Sequence, residues 1–145
     1  MRRRYCKGVA ALEFALVLLA FTAIMLGFLS IGRMMMVGMA LDRATTDAAR
    51  YMATVPVEDL RDSTRRAALL ANTRSVLEQG LAASGIQASD LTVGYVCGNT
   101  DCNTLSQSNP LESIIVTATV NYSDGWFGIG ERTELTTTAG AGRDN

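Results

Sequence analysis

Residues 9–32 form an apolar run interrupted only by Glu13, Thr22 and Ser30. As a helix rising 1.5 Å per residue, the run is about 36 Å long and its charge-free part, residues 14–32, about 28 Å. A bilayer core is about 30 Å thick, and a helix of a soluble domain rarely carries apolar groups on every face. The pattern predicts a membrane-spanning helix. Beyond Arg33 the helical spacing continues on one side only. Met34, Met35, Met36, Val37, Met39, Leu41, Ala44, Ala48, Tyr51 and Met52 supply apolar groups, and Asp42, Arg43, Asp47 and Arg50 share the opposite face. Arg43 and Asp47 stand at i,i+4, and Asp47 and Arg50 at i,i+3, both spacings that suit ion pairs. Pro56 marks a boundary. One helix over about residues 9–54 is expected, lipid-facing in its first half and amphipathic in its second. The methionines read as adaptable packing surface rather than a metal site.

A second helix is predicted over residues 58–83, with Leu60, Ala67, Leu70, Leu77 and Leu81 along one side and Gly85 closing it. Asp62 with Arg66, and Arg74 with Glu78, stand at i,i+4. The Arg65-Arg66 pair has acids around it and reads as a solvated face. From residue 90 the period changes to two. Leu91, Val93, Tyr95 and Cys97 alternate with Thr92, Gly94 and Val96, and Ile114, Val116, Ala118 and Val120 alternate with Ile115, Thr117 and Thr119. Residues 132–139 form a third, threonine-rich strand candidate. Residues 123–130 read as a turn-rich loop whose Trp126 and Phe127 cap the core or form a partner-binding tip. Gly140-Ala141-Gly142 reads as an unstructured end. The fold class is α+β: a long N-terminal transmembrane and amphipathic helix, a second helix, and a small antiparallel sheet packed on the long helix.

Composition narrows the chemistry. The chain of 145 residues has room for about one domain. With 13 basic and 14 acidic residues its formal charge is −1, so no basic field points to nucleic acid. It contains no histidine, which removes the commonest general base and the commonest zinc ligand. No phosphate loop, nucleophile elbow or zinc motif is present, and the Gly128-x-Gly130 spacing lacks the strand–helix context of a phosphate site. We assign no catalytic residue, metal site or cofactor from the sequence.

The first eight residues carry Arg2, Arg3, Arg4 and Lys7 and no acid. Such a cluster stays in the cytoplasm, so everything after Arg33 is expected to be exported. A cleaved secretory signal would have an apolar region of about 7–15 residues ending in a small-x-small site. This run is longer, contains Glu13 and leads into Ser30-Ile31-Gly32-Arg33 without a good cleavage site. A twin-arginine signal, hinted at by Arg2-Arg3-Arg4, meets the same objection. A short leader ahead of a retained helix accounts for Glu13, because a carboxylate in a span is costly unless paired and is usually functional. If the chain is cut after Gly8, Glu13 becomes the fifth residue, at i+4 from the new α-amine of Val9. The plainer reading is an interfacial glutamate that reaches headgroup water.

The Gly8-x4-Glu13-Phe14 pattern resembles the type IV prepilin processing site, where a membrane peptidase cuts after Gly and the fifth mature residue is Glu. The segment GVAALEFALVL (residues 8–18), Gly32-Arg33 and LDRATTDAARYMA (residues 41–53) are similar to the TadE-like minor pilins of the tight-adherence (Flp) pilus system. The resemblance covers roughly the first 53 residues, and Thr45-Thr46-Asp47 is more polar than the family pattern. It implies a leader at residues 1–8, a transmembrane helix at 9–32, an amphipathic continuation at 33–54 and a periplasmic α+β domain at 55–145. Gly8 and Val9 would form the processing site, and Glu13 and Phe14 would act in assembly. The implied partners are the bacterial inner membrane, a prepilin peptidase, other pilin or pseudopilin subunits and a pilus assembly platform. The protein would lie in the inner membrane with its N-terminus cytoplasmic, or be incorporated into an extracellular pilus. The competing class is an uncleaved, single-pass periplasmic scaffold or binding protein of the same machinery.

Three cysteines remain to be placed. Cys6 lies in the leader. Cys97 and Cys102 enclose four turn-forming residues and are expected to form a disulfide in the oxidising periplasm. So short a loop pins a turn more than it stabilises a fold.

Overall fold

A computed structural model of the protein describes residues 6–106, 111–122 and 133–142. The chain divides into two units, Met1–Met35 and Met36–Asn145. Helix α1, Cys6–Thr54, contributes to both. In the first unit its apolar side chains face outward all round, including Leu12, Leu16, Leu19 and Ile24.

In the second unit α1 behaves as an amphipathic helix. Val37, Leu41, Ala44, Ala48 and Met52 are buried, whereas Asp42, Arg43, Asp47 and Arg50 are exposed. Met36 and Met39 belong to the exposed side, so the methionines do not all share the buried stripe. Thr45 is buried, and its hydroxyl donates to the Leu41 carbonyl at 2.7 Å, which satisfies the polar group within the helix.

The second predicted helix is two helices. α2 spans Val57–Arg61 and α3 spans Ser63–Ala82. Asp62 stands between them with extended backbone (φ −77°, ψ 118°), and its carboxylate accepts from the Thr64 and Arg65 amides at 2.8 and 3.4 Å. This is an N-cap, and a capping aspartate competes with helix continuation by satisfying amides that would otherwise lack partners. The Asp62–Arg66 pairing predicted from i,i+4 spacing is replaced by a different arrangement. The Arg66 guanidinium donates to the carbonyls of Leu60 and Leu105, at 3.4 and 3.0 Å. Arg74 and Glu78 do pair, at 2.8 Å. The buried stripe of α3 is Leu70, Thr73, Leu77 and Leu81. Ala67, expected there, is exposed. After α3, Gly85 takes a left-handed conformation (φ +74°) that a β-carbon would strain.

The sheet has four strands where three were expected. β1 is Leu91–Cys97, β2 is Thr100–Asp101, β3 is Ser113–Tyr122 and β4 is Thr133–Gly142. Their order is β2-β1-β3-β4, and every pairing is antiparallel. β2 returns on β1 through the two-residue turn Gly98-Asn99, with Cys97 opposite Thr100 and positive φ at Gly98, the geometry glycine favours at the first position of such hairpins. Gly140, Ala141 and Gly142 are not a loose end. They pair with Ile115, Ile114 and Ser113, so the glycines complete the ladder along the full length of β3. An edge strand tolerates them because nothing must pack on its outer side. On the inner face Ile114, Val116, Ala118 and Val120 join Leu91 and Tyr95, and a single core unites them with Leu41, Ala48, Met52, Leu60 and Leu77. The predicted loop bearing Trp126 and Phe127 lies outside the described residues.

Candidate functional site

The residues singled out near the N-terminus lie on the first turns of α1. Gly8, Val9, Glu13 and Phe14 are all within Cys6–Thr54, a stretch without proline. Val9 and Phe14 are exposed, as is Glu13. Val9 and Glu13 sit four residues apart and therefore one above the other on the same face. Within Val9–Thr54 a stretch of 18 residues is strongly apolar and none of it is buried inside the protein. The helix is long and apolar enough to cross a membrane. What this surface offers chemically is a carboxylate on an otherwise apolar face, next to the position where a cut after Gly8 would create an amine.

Far along the chain, Cys97 at the end of β1 and Cys102 at the start of the 3-10 turn Cys102–Thr104 are joined as a disulfide, with Cα atoms 4.9 Å apart. Both are fully buried. The Asp101 carboxylate accepts from the Asn103 amide at 2.8 Å and so starts the turn that brings Cys102 back to β1.

Nearby groups are structural. The Tyr95 hydroxyl donates to the Leu70 carbonyl at 3.3 Å, and burial pushes its pKa up to about 12. The Arg65 guanidinium is held above its ordinary range by its hydrogen bond and ion pair with Asp59, with Asp62 adding to the effect. Among the described residues no group of three His, Cys, Asp or Glu side chains is gathered to hold a metal ion.

Sequence reasoning did not single out Gly80, and it read Arg66 as part of a solvated face and a partner of Asp62. Gly80 lies inside α3, and a glycine within a helical pattern is itself a signal of close packing. Arg66 gave no such signal, because its partners are backbone carbonyls, one of them on Leu105, 39 residues further on.

No curated protein and no solved structure matches the chain. Residues 8–50 match the family of TadE-like proteins, which bears out that resemblance over the segment carrying Gly8, Val9, Glu13 and Phe14.

Proposed function

We propose that the protein is a minor pilin-like subunit of a tight-adherence (Flp) pilus system, processed by a prepilin peptidase after Gly8. In this reading residues 1–8 are the leader, 9–32 span the bacterial inner membrane, 33–54 continue as an amphipathic helix and 55–145 form a periplasmic domain. The observation that carries it is the coincidence of three features in one segment. Residues 8–50 match TadE-like proteins, the helix in that segment is long, apolar and exposed enough to span a bilayer, and its apolar run, residues 9–32, holds a single carboxylate, Glu13, five residues after Gly8.

The chemistry follows from the cost of charge in lipid. A lone carboxylate within a span is unfavourable by a few kcal/mol, on the order of that for other ionised groups. A cut after Gly8 leaves an ammonium on Val9 that can neutralise Glu13 within one chain or on a neighbouring subunit. The intermolecular pairing links charge neutralisation to assembly, with the assembly platform and other pilin subunits as partners and adhesion as the outcome. The role is structural rather than catalytic. The alternative is an uncleaved periplasmic scaffold of the same machinery, which has the same span and orientation.

N-terminal sequencing and intact mass of protein from its native host separate the two. The pilin reading expects a chain beginning at Val9. A chain that keeps residues 1–8 overturns processing and supports the scaffold.

A further inference from the structure

The two edges of the sheet differ. β2 closes one of them as a two-residue strand that runs into the 3-10 turn held by the disulfide. The other edge is β4, ten residues long and paired with β3 from Thr133 to Gly142 without a bulge. Sheets blunt a long edge with proline, lysine, a bulge or inward-pointing charge. β4 has none of these, and its one charge is Glu134.

The register shows which backbone groups this edge leaves open. The Gly98 amide donates to the Ser113 carbonyl at 2.8 Å, next to the pairing of Cys97 with Ile114. In an antiparallel ladder the backbone groups of successive residues point to opposite sides. Ser113, Ile115 and Thr117 therefore bond towards β1, and Ile114, Val116, Ala118 and Val120 towards β4. The partners of the second set, Ala141, Ala139, Thr137 and Leu135, point back to β3. Glu134, Thr136, Thr138 and Gly140 point off the sheet, where no strand among the described residues meets them. On the inner face Leu135, Ala139 and Ala141 are only partly buried at the margin of the core. Gly140 and Gly142 lack the positive φ that would require glycine. A β-carbon on Gly140 would find nothing nearer than Ile115 Cγ1 at 3.8 Å, and one on Gly142 nothing within 4 Å. Glycine that neither conformation nor internal packing requires suits the close approach of another backbone.

We propose that β4 receives an extended segment of another protein, added antiparallel as the next strand of the sheet. The segment is amphipathic and nearly uncharged. Apolar β-branched residues would cover Leu135, Ala139 and Ala141, and a cation would stand opposite Glu134. Hydroxyl residues would lie beside Thr136 and Thr138, as the Thr119 and Thr136 hydroxyls already meet at 3.1 Å across β3 and β4. The proposal goes beyond the pilin reading and does not depend on leader processing. Only the choice against a second copy rests on the spanning part of that reading. α1 and α3 run in opposite senses, joined through α2 and touching at Ala44 and Gly80. β1 runs back along α3, with its Tyr95 hydroxyl on the Leu70 carbonyl, and β4 has the sense of β1. Copies anchored side by side by α1 would present their β4 strands in one sense, so the two could not pair antiparallel.

The test uses the full chain in detergent micelles and the acetylated peptide IVVTVTVRKK, whose first residue falls opposite Ala141 and whose arginine falls opposite Glu134. A twin N-methylated at its second, fourth and sixth residues keeps the side chains but loses the amides that would face β4. The peptide should slow hydrogen exchange at the Thr136, Thr138 and Gly140 amides several-fold, and the twin should not. Thr138→Pro removes an open amide and should abolish the protection at Thr136 and Gly140 with little change in thermal midpoint. Thr137→Pro, at an amide bonded to β3, should lower the midpoint instead. No protection by the peptide, or equal protection by the twin, would overturn the added strand even if Thr138→Pro fails to fold. Protection of the same amides in the chain alone, lost on dilution, would give the edge to a second copy and overturn the foreign segment. None of these readouts changes with the state of the N-terminus, so failure of the pilin reading leaves the added strand standing.

Discussion

Gly80 on α3 faces Ala44 on α1 so closely that a β-carbon added to Gly80 would lie 2.9 Å from the Ala44 Cβ and 3.6 Å from its Cα. Two helices approach with almost no side chain between them at this point. The approach lets Leu77 and Leu81, on either side of Gly80 along α3, reach the core shared with Leu41 and Ala48. The missing side chain thus sets the helix spacing on which the rest of the packing depends.

Replacing that glycine reverses a familiar sign. In an exposed helix interior Gly→Ala gains about 1 kcal/mol. Here the added methyl meets a backbone-bound carbon, and overpacking of this kind costs about 1–3 kcal/mol. Gly80→Ala should therefore lower the thermal midpoint measured by circular dichroism in micelles. Adding Ala44→Gly should recover part of the loss. A Gly80→Ala chain that melts at or above the wild type would show that α1 and α3 can part without penalty.

Tyr95 predicts a pH dependence. Its hydroxyl ionises near 10 in an unfolded chain, whereas burial pushes it up to about 12 in the folded protein. Below pH 10 both states keep the proton and the stability is unaffected. Between about 10 and 12 the unfolded chain loses the proton while the folded chain keeps it, so stability falls as pH rises, by about 1–3 kcal/mol over the interval. Thermal midpoints of the wild type and Tyr95→Phe, compared from pH 9 to 11, should converge because only the wild type carries this buried phenol. Parallel slopes would contradict the assigned burial.

The disulfide should matter locally. Joining residues only five apart removes little chain entropy, about 2 kcal/mol by the loop-closure relation. Cys97→Ala with Cys102→Ala should cost about that much and should raise hydrogen exchange in the Gly98-Asn99 turn. Peptide mapping of protein matured in the periplasm, without reductant, should recover the two cysteines in one bridged peptide. Free thiols there would count against both the bridge and the exported topology.

Much of this fold is legible in the sequence wherever the signal is a period. The apolar run of α1 and the two-residue alternation of β1 and β3 come from side chains that must all face one environment, and the structure has them so. The misread places are those where one residue decides. Asp62 breaks a helix by capping the next one, a choice that i,i+4 charge spacing does not reveal, because the same aspartate suits both arrangements. Gly140 and Gly142 read as a loose end by composition, yet the ladder needs a partner for Ser113 and Ile115, and pairing across a sheet is invisible in a local window. Thr137 illustrates the same limit: its hydroxyl donates to the Asp42 carboxylate at 3.2 Å across 95 residues of chain. At the candidate site the legible part is the likeness of residues 8–50 to TadE-like proteins, because the pattern from Gly8 to Phe14 is contiguous. Arg66 was not legible, since its acceptors are backbone carbonyls that any residue carries.

Glu13→Val removes the one carboxylate of the span and adds an apolar group that lipid accepts. Membrane insertion and the cut after Gly8 should be unchanged, and the subunit should be lost from sheared pilus fractions. The readout is an immunoblot of membranes beside sheared filaments. Normal recovery of the variant in filaments would remove the assembly role of Glu13.

The last prediction comes from the inventory of amines. Lys7 is the single lysine, and the other twelve basic residues are arginines. Cutting after Gly8 removes Lys7 with Arg2, Arg3 and Arg4. Nine arginines then face 14 acids, for a formal charge of −5 on the side chains. A chain cut there would have one primary amine, on Val9, four residues from Glu13 on the same helical face. An amine-reactive probe applied to untagged mature protein in detergent should modify Val9 or nothing. Pairing with Glu13 would lower the yield, so Glu13→Val should raise labelling at Val9. An uncleaved chain would offer Lys7 and the amine of Met1 instead. Labelled Lys7 in protein recovered from assembled pili would sink the processing step and the pilin reading that rests on it.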